Sequence, residues 1–234
     1  MRLEPRQFDD GRGGRVSAVV AVPDGFTPGR DPVVILAHGA GNDMTNPLLV
    51  AVHEGIGRRG YASVRFNFPY KERGGRAPDP AAVIESCYRR VVAQVRASTL
   101  RPARLIIGGK SLGGRIASQI AAQGETVDAL VFLGYPLHPA GRPDQLRTAH
   151  LPRITVPMLF FAGTRDSLCT LPLLRETLQT LTAPATLHVI EGADHSFAVP
   201  KRTGRGGEAV YAEIVDATVA WLGALPQRLE QKSS

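Results

Sequence analysis

What this chain has little of narrows its class before any motif is read. Cysteine is scarce: only Cys87 and Cys169 occur. They show no zinc-ligand spacing, so no metal is expected, and a disulfide is neither required nor excluded. Long apolar runs are missing. No stretch approaches the ~18–20 residues that span a bilayer, so no membrane association is expected. The opening residues Met1-Arg2-Leu3-Glu4-Pro5-Arg6 lack the apolar segment of a secretory signal, and a reducing, cytoplasmic setting is the expectation. Lysine is scarce too. Of 28 basic residues 4 are Lys and 24 are Arg, in a chain of net charge +7. Such an arginine bias, alongside abundant Ala, Gly and Pro, reads as genome composition rather than selection for phosphate contact. The arginines are scattered, without a basic run or interleaved aromatics, and no nucleic-acid partner is expected. Repeats, low-complexity blocks and linkers are also absent. The 234 residues, 43% of them apolar, suffice for one core over about 16–222 within a single domain, 1–234. Nothing in the surface helices reads as an oligomer interface.

What is present is alternation of strand and helix patterns. Residues 1–15 are polar and glycine-rich and read as a tail or hairpin turn. Val16 to Val22 is a strand, stopped by Pro23-Asp24-Gly25. Val33 to Ala37 is almost wholly apolar, as in a strand covered on both faces, and runs into His38-Gly39-Ala40-Gly41. Asn46 as N-cap and Pro47 at the first helical position open a helix with Leu48, Leu49, Val52 and Ile56 on one face. Ala62 to Phe68 is the next strand, residues 69–80 a loop, and 81–97 an amphipathic helix. Strands at 105–108, 130–134, 158–162 and 186–190 and helices up to Gly124 and at 172–181 follow. A closing helix over about 207–222 should turn Val210, Ile214, Ala217 and Trp221 inward. Seven strands alternating with helices predict an α/β fold with a mostly parallel sheet and its site at the strands' carboxyl ends.

One stretch organises the rest. The apolar run Leu105-Ile106-Ile107 passes abruptly through Gly108-Gly109-Lys110-Ser111-Leu112-Gly113-Gly114 into a helical pattern. Gly109-x-Ser111-x-Gly113 matches a nucleophile elbow, in which a serine on a tight strand-to-helix turn needs neighbours without Cβ atoms. A serine hydroxyl is a weak nucleophile until a base takes its proton, and that base must be held by an acid. Behind an elbow the acid and then the histidine follow the serine, each just past a strand end. Asp166 and His195 satisfy that order, 55 and 29 residues on. Asp194 is a rival acid, but its adjacency to His195 makes the geometry awkward. An oxyanion hole is expected from the Leu112 amide and the Ala40 amide, with Gly41 as the fallback and His38 pinning the loop. His53, His138, His150 and His188 lack such a context and read as structural or solvated.

His38-Gly39-Ala40-Gly41, Arg65-Phe66-Asn67-Phe68-Pro69-Tyr70, the elbow, Gly163-Thr164-Arg165-Asp166 and Gly192-Ala193-Asp194-His195-Ser196-Phe197 occur in this order. Over about 16–222 the chain thereby resembles a small bacterial branch of the α/β-hydrolase superfamily related to dienelactone hydrolases. It is also similar to the hydrolase-like domain in a subunit of a eukaryotic histone-acetyltransferase complex. The resemblance implies an α/β-hydrolase fold and a cofactor-independent Ser111–His195–Asp166 triad. Dienelactone hydrolases carry a cysteine nucleophile where this chain has Ser111, which favours simple ester chemistry.

Between the strands at 130–134 and 158–162, where many such folds insert a helical cap, only the 23 residues from Tyr135 to Pro157 lie. An open site without a large cap is expected, suited to small-molecule esters with short acyl groups. Gly41, Pro69 and Tyr70 are candidate pocket residues; Lys110 is assigned no role. The leading expectation is a serine carboxylesterase. A thioesterase or amidase on the same triad, and a non-catalytic binding module, are the alternatives.

Overall fold

The computed structural model describes residues 1–226. Its strands are β1 (Arg2–Asp9), β2 (Arg15–Val22), β3 (Val33–Ala37), β4 (Ala62–Phe66), β5 (Leu105–Lys110), β6 (Ala129–Leu133), β7 (Met158–Gly163) and β8 (Ala185–Ile190). Among the described residues they form one eight-stranded sheet in the order β1-β2-β4-β3-β5-β6-β7-β8. From β4 to β8 neighbours run parallel, while β1–β2 and β2–β4 are antiparallel. The helices are α1 (Pro47–Arg58), α2 (Pro69–Glu72), α3 (Ala81–Ala97), α4 (Leu112–Ala122), α5 (Leu171–Gln179) and α6 (Gly207–Ala224).

The apolar runs explain the layering. Side chains alternate along a strand, so Val33 and Ile35 enter one core with Ile107, Phe132 and Phe160, beneath Ile84, Val91, Ile116 and Leu174 of α3, α4 and α5. Val34 and Leu36 enter the other core with Ile106, Val131 and Phe161, beneath Leu49, Val52, Ile56, Val210 and Ile214 of α1 and α6. Each large side chain so buried contributes roughly 1.5–3 kcal/mol. The cap of α1 is as the sequence predicts: the Asn46 side chain accepts from the Leu49 amide at 3.3 Å, with Pro47 opening the helix.

Four expectations are corrected. The sheet has eight strands, not about seven, because residues 2–9 pair with β2 along their whole length, from Arg2–Val22 to Asp9–Arg15. Most β1 side chains are exposed, so this charged edge strand is held by its backbone ladder and carries no apolar pattern. Its Pro5 is tolerated at an edge. β4 stops at Phe66, and the supposed loop after it begins with the single helical turn α2, Pro69 lying in its first turn. On α6 the buried set is Val210, Ile214, Val215, Thr218 and Leu222; Ala217 and Trp221 flank it half-buried.

Candidate active site

Ser111 sits between β5 and α4 at φ 50° and ψ −112°. A non-glycine residue in that region costs on the order of 1–3 kcal/mol and must be held by its surroundings. The glycines two residues to either side permit this. A Cβ on Gly109, itself at φ +149°, or on Gly113 would collide with the Ala37 carbonyl oxygen. The turn is further fixed by the Ser111 amide, which donates to the Leu133 carbonyl at 3.1 Å. From α3, the buried Tyr88 hydroxyl donates to the Gly108 carbonyl at 2.6 Å and accepts from the Gly108 amide at 3.0 Å. Tyr88 thus ties α3 to the strand end that leads into the turn.

The chain ends of β5, β7 and β8 bring Ser111, Asp166 and His195 together. The Ser111 Oγ lies 2.8 Å from His195 Nε2. On the other side of the ring, His195 Nδ1 lies 2.8 Å from Asp166 Oδ2. The Asp166 side chain is 0% exposed and that of His195 19%, so the carboxylate is sealed while the imidazole keeps some access to solvent. Asp166 Oδ1 accepts from the Leu168 amide at 2.8 Å. Asp194 is engaged elsewhere, its Oδ1 capping the Ser196 and Ala198 amides at 2.8 and 3.0 Å. The remaining histidines have their own partners: His53 with Ser63, His138 with Thr170, His150 with Ser118 and His188 with Glu213.

The loop after β3 is built from behind. His38 Nδ1 donates to the Gly39 carbonyl at 2.8 Å, and its Nε2 accepts from the Phe68 amide at 3.0 Å. Burial pushes the imidazole down to about 4, so it stays neutral and serves as a two-ended brace. Farther along, Arg65 Nη1 donates to the Met44 carbonyl at 2.7 Å and Asn67 Oδ1 accepts from the Met44 amide at 2.8 Å. These alternate residues of the Arg-Phe-Asn-Phe stretch clamp the loop at one residue, Met44, from its amide and its carbonyl. At its tip, Ala40 borders the same cleft as Ser111 and Leu112. Neither the Ala40 nor the Leu112 amide has a hydrogen-bond partner among the described residues.

A family model described as an alpha/beta hydrolase domain matches residues 30–223. The chain belongs to that α/β-hydrolase family. Solved structures similar to it include a dienelactone hydrolase from Anabaena variabilis, with TM-score 0.74, 21% identity, and 96% of this chain and 98% of that one covered. A serine hydrolase without a lid from Xanthomonas campestris gives 0.71, 21%, 97% and 98% in the same order, and an α/β serine hydrolase homologue from Coxiella burnetii 0.73, 19%, 94% and 97%. At these identities the likeness is one of fold.

In this α/β-hydrolase no cap domain covers the cleft, which has a volume of about 330 Å³ and is floored by Leu112, Ile116 and Ile84. The expected pocket residues are corrected. Pro69 and Tyr70 are buried and lie behind the loop, the Tyr70 hydroxyl 3.4 Å from the Gly39 carbonyl, because α2 turns back under His38 instead of running along the cleft. Gly41 is exposed at φ +72° and is not among the residues bordering the cleft. Its walls come instead from Asp79, Arg115, Pro136, Arg147 and Leu168. For Arg115 a sequence signal existed: four residues after Ser111 on a helix, it shares the serine's face. A larger cavity of about 460 Å³, bordered by Arg96, Arg101, Leu105 and Asp128, lies at the amino-terminal edge of the sheet, away from Ser111. Among the described residues no cluster of three or more His, Cys, Asp or Glu is arranged to hold a metal ion. Nor is any helix among them long and apolar enough to cross a membrane.

Proposed function

We propose that this α/β-hydrolase cleaves short-chain carboxylic esters through an acyl-enzyme, with Ser111, His195 and Asp166 as its catalytic triad. The observation that carries this reading is the relay of two 2.8 Å hydrogen bonds from Ser111 through His195 to a sealed carboxylate. With Nδ1–H donated to Asp166, the lone pair of Nε2 faces the serine O–H. His195 takes that proton as Ser111 Oγ attacks the ester carbonyl. Negative charge develops on the carbonyl oxygen, and the unpartnered amides of Ala40 and Leu112 are free to receive it. Such a donor is worth about 100- to 1000-fold in kcat. His195 then returns the proton to the departing alcohol, and a water activated by the same base releases the acid. The open cleft, walled by the short 135–157 connection, favours small acyl groups. The two buried free thiols, Cys87 and Cys169, are compatible with a reducing, cytoplasmic setting. A binding module has no need of this alignment, and thioesters or amides would use the same machinery.

Intact-mass spectrometry after incubation with a fluorophosphonate probe tests the reading. One adduct on the wild type, absent from Ser111→Ala, is expected. A folded wild type that takes up no adduct overturns it.

A further inference from the structure

We propose that the cleft beside Ser111 contains an anion subsite formed by Arg115 and Arg147, so that the preferred ester carries an oxyanion group, carboxylate or phosphate, on the portion seated there. This deepens the serine-hydrolase reading and rests on it.

Both arginines border the cleft together with Ser111 and the Ala40 loop. Both are half-buried. Neither guanidinium makes a hydrogen bond or ion pair among the described residues. Burial first, and then the neighbouring Arg147, disfavours the charge on Arg115. Two like charges held close together in a half-desolvated cleft are costly unless an anion joins them. The acids nearby make no ion pair with either arginine. Asp79, on the facing wall, is held by Arg73 at 2.6 Å, and Glu85, which favours the charge on Arg115 from a distance, accepts its hydrogen bond from Gln123 Nε2 at 3.1 Å. With Asp79 balanced by Arg73, the cleft retains the positive charge of the two arginines.

Their positions are built rather than incidental. Arg115 lies one helical turn past Ser111, on the same face of α4, and helical side chains lean back toward the N-terminus, here toward the serine. The backbone of Arg147 is pinned on both sides: its amide donates to the Leu137 carbonyl at 2.8 Å, and its carbonyl accepts from the Tyr135 hydroxyl at 2.8 Å. Ser111, Arg115 and Arg147 border one cleft, so an anion carried on a short acyl chain can reach the arginines while its carbonyl meets the serine. Planar guanidinium forks bind carboxylate and phosphate oxygens in pairs, which adds orientation to attraction.

The test separates binding from catalysis. On Ser111→Ala, which does not turn over, equilibrium affinities are measured for 4-nitrophenyl hemisuccinate and for 4-nitrophenyl 4-methylpentanoate, its uncharged isostere. A preference of about tenfold or more for the hemisuccinate is expected, corresponding to ~1.4 kcal/mol. Adding Arg115→Gln or Arg147→Gln should reduce the ratio to about threefold or less, the uncharged ester serving as the internal reference for an intact cleft. Displacement by succinate and by inorganic phosphate tells which anion the subsite takes. Equal affinity for the two esters, or a preference that survives both arginine variants, overturns the subsite. Fluorophosphonate labelling of the wild type is scored separately. Labelling without anion preference removes the subsite and keeps the hydrolase; anion preference without labelling does the reverse.

Discussion

Lys110 Nζ donates a 2.7 Å hydrogen bond to the backbone carbonyl of His195. The residue just before Ser111 thereby fastens the loop that carries His195. Lys110 is 5% exposed, and burial holds its ammonium down at about 8. Its charge is therefore lost within the working range of many hydrolases. Lys110→Met should lower kcat by about tenfold with a smaller change in KM, since the tether positions the histidine and touches no substrate. In the wild type the rate should fall as pH rises through about 8, where the charged donor becomes a weaker neutral one. That alkaline limb should be missing from Lys110→Met. An identical limb in the variant would assign it to another group.

The two candidate acids are separable. Asp166→Asn keeps the shape but holds the histidine in the wrong tautomer, and kcat should drop on the order of 10⁴-fold. Asp194→Ala removes the turn cap over Ser196 and Ala198, and should cost about 1 kcal/mol of stability with kcat changed only a few-fold. Steady-state kinetics paired with urea unfolding distinguish the two.

Tyr88 is expected to matter to an elbow it does not line. Tyr88→Phe removes both buried hydrogen bonds between the hydroxyl and the Gly108 backbone, a loss of roughly 1–3 kcal/mol. Fluorophosphonate labelling should slow as well, because the strand leading to Ser111 loses its brace. Urea unfolding that is unchanged from the wild type would count against this role.

Three histidines set an acid limit on the fold. Burial pushes His38 and His150 down to about 4 and His53 down to about 3, whereas an unfolded histidine titrates near 6.5. Between these values the unfolded chain binds more protons, so stability is fully present above about pH 6.5 and is lost as pH falls toward 4. The expected slope is up to ~1.4 kcal/mol per pH unit for each histidine. Urea unfolding at pH 7, 5.5 and 4 measures it, and His53→Gln should reduce the slope by one histidine's share.

Much of the site could be read from residue order because its parts obey local rules. Ser111 is marked by glycines at fixed offsets, Asp166 and His195 by their places after apolar strands, and His38 by the glycine turn that follows it. β1 could not be read this way, since an exposed edge strand is selected for its backbone pairing and leaves no apolar alternation. The position of Tyr70 is not legible for a related reason: a residue just after a strand end has two directions open to it, and the turn of α2 decides between them.

Residue order alone carries the alternating α/β pattern, the glycine-flanked serine and the preference for Asp166 over Asp194 as the partner of His195, because spacing and polarity act locally along the chain. Folding alone brings Ser111, His195 and Asp166 within hydrogen-bond reach, ties Lys110 to the His195 carbonyl and sets Arg115 and Arg147 in one cleft. Those relationships join residues from strand ends and connections that sequence separates by tens of positions. Packing against the sheet sets which way each of these side chains points.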